Sequence, residues 1–169
     1  MAATQTSQIV LKLQAEASNV TLGTVRDQIN LDYTTALGPG TGAGQANVIY
    51  RATRTLTASA TEDLDLSGTA LTDGLGAAVA LTKAKAVVVH AAAANTNNVI
   101  IGGGNTTFSL FVAASDAYAI KPGGTFVLTA PAAAGLTIVP VLGGATDLLT
   151  VTNSAGSTPV SYDVVVIGL

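Results

Sequence analysis

From residue 48 onward the chain repeats one pattern. Short runs rich in Val, Ile, Thr and Leu are cut by clusters of Gly, Pro, Asn and Asp. "VIYRATRTLT" (48–57), "EDLDLSG" (62–68), "AKAVVVHAA" (84–92) and "NNVIIGGG" (97–104) open the series. "TTFSLFVAA" (106–114), "AYAIKPGGTFVLTA" (117–130), "LTIVPVLG" (136–143), "DLLTVTNS" (147–154) and "PVSYDVVVIGL" (159–169) complete it. Side chains on a strand alternate between faces, so period-2 runs of this length bounded by turn residues read as strands. Roughly eight or nine of them, spaced about 8–15 residues apart, predict an all-β fold: a β-sandwich or jelly roll of about eight strands. No strand–helix–strand rhythm is present.

The pattern makes finer predictions. In "EDLDLSG", Leu64 and Leu66 point one way and Asp63 and Asp65 the other, with Gly68 ending the strand. "AKAVVVHAA" and "NNVIIGGG" read as an antiparallel hairpin, and "AYAIKPGGTFVLTA" as strand, Pro-Gly-Gly turn, strand. The last run is apolar on both faces, as a central strand would be. One short helix is expected around residues 24–33, and a weaker one near residues 74–81, where Gly74 and Gly76 count against it.

Residues 1–47 read differently. Ile9, Leu11 and Leu13 alternate on one strand, followed by weakly patterned polar chain up to "GPGTGAGQAN". We read residues 1–47 as an N-terminal arm or partial layer and residues 48–169 as the β-sandwich domain. The arm would pack on the sandwich or on a neighbouring subunit. Its strand (Ile9, Leu11, Leu13) and the loop glycines Gly38, Gly40, Gly42 and Gly44 are the expected interface.

Charge is scarce. Asp, Glu, Lys and Arg make up 10% of the 169 residues and the net charge is −3, against about 25% charged residues in ordinary globular domains. Such a chain has little self-repulsion, which favours association. Four Lys and three Arg spread along an acidic chain argue against nucleic-acid binding. No apolar run is long and unbroken enough for a membrane helix: His90, Asn95, Asn97, Asn98 and three successive glycines break the longest charge-free stretch, residues 86–115, and Pro122, Pro131 and Pro140 break residues 122–146. The amino terminus lacks the basic start and apolar run of a signal peptide. Cysteine is absent, which rules out disulfides and thiolate metal sites and fits folding in a reducing cytoplasm, or a protein held together by assembly instead.

Motifs of catalysis or cofactor binding fall short in context. A Walker loop needs Lys and Ser or Thr after its last glycine, whereas Gly44 precedes Gln45 and Ala46. The loose dinucleotide fingerprint Gly38, Gly40, Ala43 should open a helix, whose amino terminus holds the pyrophosphate; a β-rich run follows instead. His90, the only histidine, sits on a strand and reads as a satisfied edge or interface imidazole, and no nucleophile elbow is present. Glu62, Asp63, Asp65 and Asp73 lack the spacing of a calcium loop. With no Trp and few aromatics, a stacked sugar platform is weakly supported. Asn19 and Asn105 head glycosylation sequons, read as chance matches in a chain without a secretion signal. No enzyme, cofactor or metal is expected.

Residues 41–169 resemble structural proteins of tailed-bacteriophage virions. The likeness is carried by "GTGAGQANVIYRATRTLTASATEDLDLSG", "VIIGGGNTTFSLF", "IKPGGTFVLTAP" with its Pro-Gly-Gly hairpin, and the closing "DLLTVTNSAGSTPVSYDVVVIGL". The resemblance implies a head decoration (cement) protein that stabilises the capsid across capsomer junctions, or alternatively a tail, collar or spike subunit serving assembly or host adhesion. It implies the major capsid protein or another virion protein as partner, a homotrimer, and assembly in the host cytoplasm. No catalytic residue is carried over.

Overall fold

A computed structural model describes residues 5–19, 25–68, 70–104, 110–111, 113, 115–137 and 147–169. The chain is all-β: 58% of the described residues lie in strands, and none lies in a helix. In chain order the strands are β1 (Ser7–Asn19), β2 (Val25–Pro39), β3 (Gln45–Ala46), β4 (Val48–Leu56), β5 (Thr61–Asp65) and β6 (Lys83–Ala91). They continue with β7 (Val99–Gly102), β8 (Ala117–Ile120), β9 (Thr125–Thr129), β10 (Leu136–Thr137), β11 (Leu148–Asn153) and β12 (Val160–Gly168). The count exceeds the eight expected, because β1, β2 and β3 make a sheet of their own and two-residue pairings escape a pattern reading.

The body is two antiparallel sheets. The front sheet runs β10-β6-β12-β4, with β9 also on β6, and the back sheet runs β5-β11-β7-β8. Their inner faces form one core. Val87 and Val89 of β6, Tyr162, Val164 and Val166 of β12 and Tyr50 of β4 share it with Leu64, Leu149, Val151, Ile101 and Ile120 of the back sheet. β12 lies between β6 and β4, the central position its two-sided apolar pattern predicts. Leu64 and Leu66 are buried while Asp63 is exposed, as their alternation requires. After β5 the Asp65 carboxylate turns the chain: its Oδ1 accepts the N–H groups of Ser67 (3.2 Å) and Gly68 (2.7 Å).

Four expectations are corrected. Residues 25–33, expected as helix, belong to strand β2; Ile29, Leu31 and Tyr33 recur with period 2, and pairing with β1 overrides local helix propensity. Residues 74–81 are a turn and extended chain. The Asp73 Oδ1 takes the N–H groups of Leu75 and Ala77, both at 2.8 Å, which ties those donors into a loop instead of a helical turn.

The runs at 84–92 and 97–104 do not form a hairpin. β6 is flanked by β12 and by β9 and β10, whereas β7 pairs with β11 and β8 in the other sheet. Residues 92–98 cross between sheets, held by side chains. Asn95 exchanges hydrogen bonds with the Ser161 backbone, 2.8 Å each way, and the buried Asn97 donates to Thr158 O (2.9 Å) and Asn153 Oδ1 (3.2 Å).

The Pro-Gly-Gly turn is likewise a crossing, not a hairpin. It links β8 in the back sheet to β9 in the front one, with Gly123 at φ +74°, a conformation that favours glycine. Of the strand expected at 106–114, Leu110 and Phe111 lie in bends and the rest is almost entirely outside the described residues. At 136–143 only Leu136 and Thr137 are described, and they form β10.

Candidate functional site: an uncovered apolar ribbon

Strands β1 and β2 form a long antiparallel ribbon, registered from Ser7↔Leu37 to Asn19↔Val25. Directly opposed residues on such a pair project to the same face. One face therefore carries Ile9 and Thr35, Leu11 and Tyr33, Leu13 and Leu31, and Ala15 and Ile29. The other carries Gln8 and Ala36, Val10 and Thr34, Lys12 and Asp32, Gln14 and Asn30, and Glu16 and Gln28. The ribbon is amphipathic: a charge-free apolar stripe backs onto a polar face. On the polar face Lys12 Nζ lies 3.5 Å from Asp32 Oδ2, and Gln28 Nε2 donates to Glu16 Oε2 at 2.8 Å.

An amphipathic sheet normally buries its apolar side. Here Leu11 is 56% exposed, Leu13 52%, Ile29 47%, Leu31 40% and Tyr33 63%. A two-stranded ribbon alone in water is marginally stable at best. An apolar patch of this extent is comparable with the largest on a typical monomer, and such patches are often functional.

The foot of the ribbon is anchored. Ile9 and the buried Leu37, both on the stripe side, pack with Ala46 of β3 and with Ala86, Ile167, Ile49 and Val165 on the outer face of the front sheet. The glycine loop closes this foot. Gly38 N–H donates to Gly44 O (2.8 Å), Gly44 N–H to Pro131 O (2.8 Å) and Gly42 N–H to the Gln45 side-chain oxygen (2.7 Å). A Cβ on Gly40, at φ +130°, would come within 2.6 Å of that same oxygen. These donors are spent on the protein itself, so the loop is a fold-back joint seating the ribbon on the body. Of the seven residues expected at an interface, Leu11 and Leu13 lie exposed on the stripe. Ile9 is half-buried at the foot, and Gly38, Gly40, Gly42 and Gly44 form the half-buried joint.

The residues weighed for chemistry lie elsewhere. His90 is on the outer face of the front sheet, its Nδ1 2.8 Å from Thr125 Oγ1 on β9. Its register neighbour Asp163 accepts instead from Thr53 Oγ1 (2.5 Å). This polar row lies along one open sheet face. Among the described residues no group of three or more His, Asp or Glu side chains converges as metal ligands would.

One polar cluster went unseen in the sequence. Glu62 of β5 accepts from Arg54 Nε (2.7 Å) and Nη2 (2.5 Å) of β4 through Oε2, and from the buried Tyr162 hydroxyl of β12 (2.6 Å) through Oε1. The Glu62 carboxylate holds the Arg54 guanidinium proton more tightly than usual; burial first, then Glu62, pushes the Tyr162 phenol above its ordinary value. Every oxygen of Glu62 is thus engaged, and the cluster ties the two sheets together.

The buried Lys85 is similar in kind. Its Nζ donates to the carbonyls of Ala132 and Ala133, and burial followed by the nearby Lys83 charge lowers its proton affinity. Both groups are locked into structural bonds, which leaves the stripe, among the described residues, as a feature without a structural partner. No protein-family model, no curated protein and no solved structure matches this chain.

Proposed function

We propose that this chain is a non-enzymatic bacteriophage head decoration protein: a β-sandwich that assembles in the host cytoplasm and reinforces the capsid by binding the major capsid protein across capsomer junctions. The observation that carries the reading is the ribbon. A protein with 10% charged residues that leaves a charge-free apolar stripe open on a protruding pair of strands is made to be completed by an assembly. The virion-like turn and strand motifs of residues 41–169 supply the kind of assembly, and symmetry would multiply each weak contact.

The test is to locate the chain in gradient-purified particles by mass spectrometry and immunogold labelling. Labelling over the head surface supports the proposal. Labelling confined to the tail, or absence from particles, overturns it.

A further inference from the structure

We infer that the stripe on the ribbon is a homotypic interface: the occupant of this apolar face is the same face of another copy of the chain. The inference rests on the proposed assembly role only in asking what covers the ribbon, and it stands or falls separately from the capsid location.

Three features favour a second copy. The first is fit. The stripe is two strands wide and runs in four opposed pairs, from Ile9 and Thr35 at the foot to Ala15 and Ile29. A ribbon of the same width and length covers it completely, at the roughly 10 Å spacing of packed sheets. The two polar faces then lie outside, in water, where the Lys12–Asp32 pair and the Gln28–Glu16 bond already sit.

The second is charge. None of the eight stripe residues is ionisable except Tyr33, so stripe-to-stripe packing buries no charge and sets no like charges together. The four opposed pairs contain no charged residue: Lys12, Glu16 and Asp32 belong to the opposite face, and Asp27, opposite Ala17, comes on the stripe's own face only beyond its outer end.

The third is area. Five large side chains at 40–63% exposure leave on the order of 500 Å² open, the size of the largest patch on a typical monomer. Two stripes brought together remove about 1,000 Å², which is where specific protein interfaces begin.

Sedimentation velocity on the purified full chain tests this. The wild type is expected to sediment as a multiple of 16.7 kDa at micromolar concentration. Leu11→Lys with Leu31→Lys places two charges inside the interface and should raise the dissociation constant at least about 100-fold, giving a monomer. Val10→Lys puts a charge on the opposite face and should leave the assembly intact.

Because the chain has no cysteine, single Leu13→Cys and Gln14→Cys proteins carry one label site each. An environment-sensitive dye at Leu13 should be shielded on assembly and one at Gln14 should not. This reads the same question without the charged variant having to fold. A monomeric wild type overturns the inference. So does a charged double variant that folds and assembles like the wild type, or equal exposure of the two dyes. Particle labelling is unaffected by any of these outcomes, so the failure of one proposal is not the failure of the other.

Discussion

Removing the Glu62 carboxylate tests how the two sheets are held together. In Glu62→Ala, the Tyr162 hydroxyl loses its acceptor and the Arg54 guanidinium loses both of its bonds to β5. The two losses weigh differently. Tyr162 is 1% exposed, and a buried donor left unsatisfied costs about 1–3 kcal/mol. The Arg54 side chain is 35% exposed, so water takes over much of its solvation and its share falls to about 1 kcal/mol, the upper end for exposed pairs.

The sum is about 2–4 kcal/mol. At about 2–4 °C per kcal/mol for a chain of this size, Tm should fall by about 4–16 °C. Glu62→Gln keeps a carbonyl oxygen for Tyr162 and should lose about half as much. In a double-mutant cycle with Tyr162→Phe, the coupling should reach about 1 kcal/mol, because both changes remove the same bond. The assay is urea unfolding followed by circular dichroism. A Glu62→Ala protein within about 0.5 kcal/mol of the wild type, the range of ordinary surface substitutions, would refute the claim that this cluster clamps the sheets.

Two further outcomes follow from the same structure. The Tyr162 phenol has a raised folded-state pKa, so its contribution is fully present below the unfolded value of about 10 and is lost as pH rises from there toward the folded value. Alkaline unfolding curves should therefore show a loss above about pH 10 that Tyr162→Phe flattens; a variant curve parallel to the wild type would exclude Tyr162 as the source. Gly168, in β12 opposite Ala84, has no room for a side chain: a Cβ there would collide with the Lys83 carbonyl and press on Leu81. Gly168→Ala should cost about 1–3 kcal/mol, as overpacking in a filled interior does, and a Tm near that of the wild type would contradict the close approach.

Much of the body was legible in the chain because its signals are local. The alternation of Leu64 with Asp63 and Asp65, and the two-sided apolar run from Val160 to Gly168, each name a face without reference to the rest of the molecule. What could not be read was partnership. Adjacent runs pair often but not always, and here Asn95, Asn97 and the Pro-Gly-Gly turn carry the chain from one sheet to the other. Two expected hairpins therefore became crossings.

The site divides along the same line. Ile9, Leu11 and Leu13 announced β1. The matching Ile29, Leu31 and Tyr33 were in plain view at period 2, and reading residues 24–33 as a helix hid the second half of the stripe. The Glu62 cluster had no local signal at all, since its hydroxyl partner Tyr162 lies 100 residues away along the chain.

The most direct measurement is an image of purified virions at side-chain detail. The account predicts this chain on the outer surface of the head, with Leu11, Leu13, Ile29, Leu31 and Tyr33 of each copy covered by those of a neighbouring copy. Particles without the chain, or copies whose ribbons stand with those side chains in bare solvent, would contradict it.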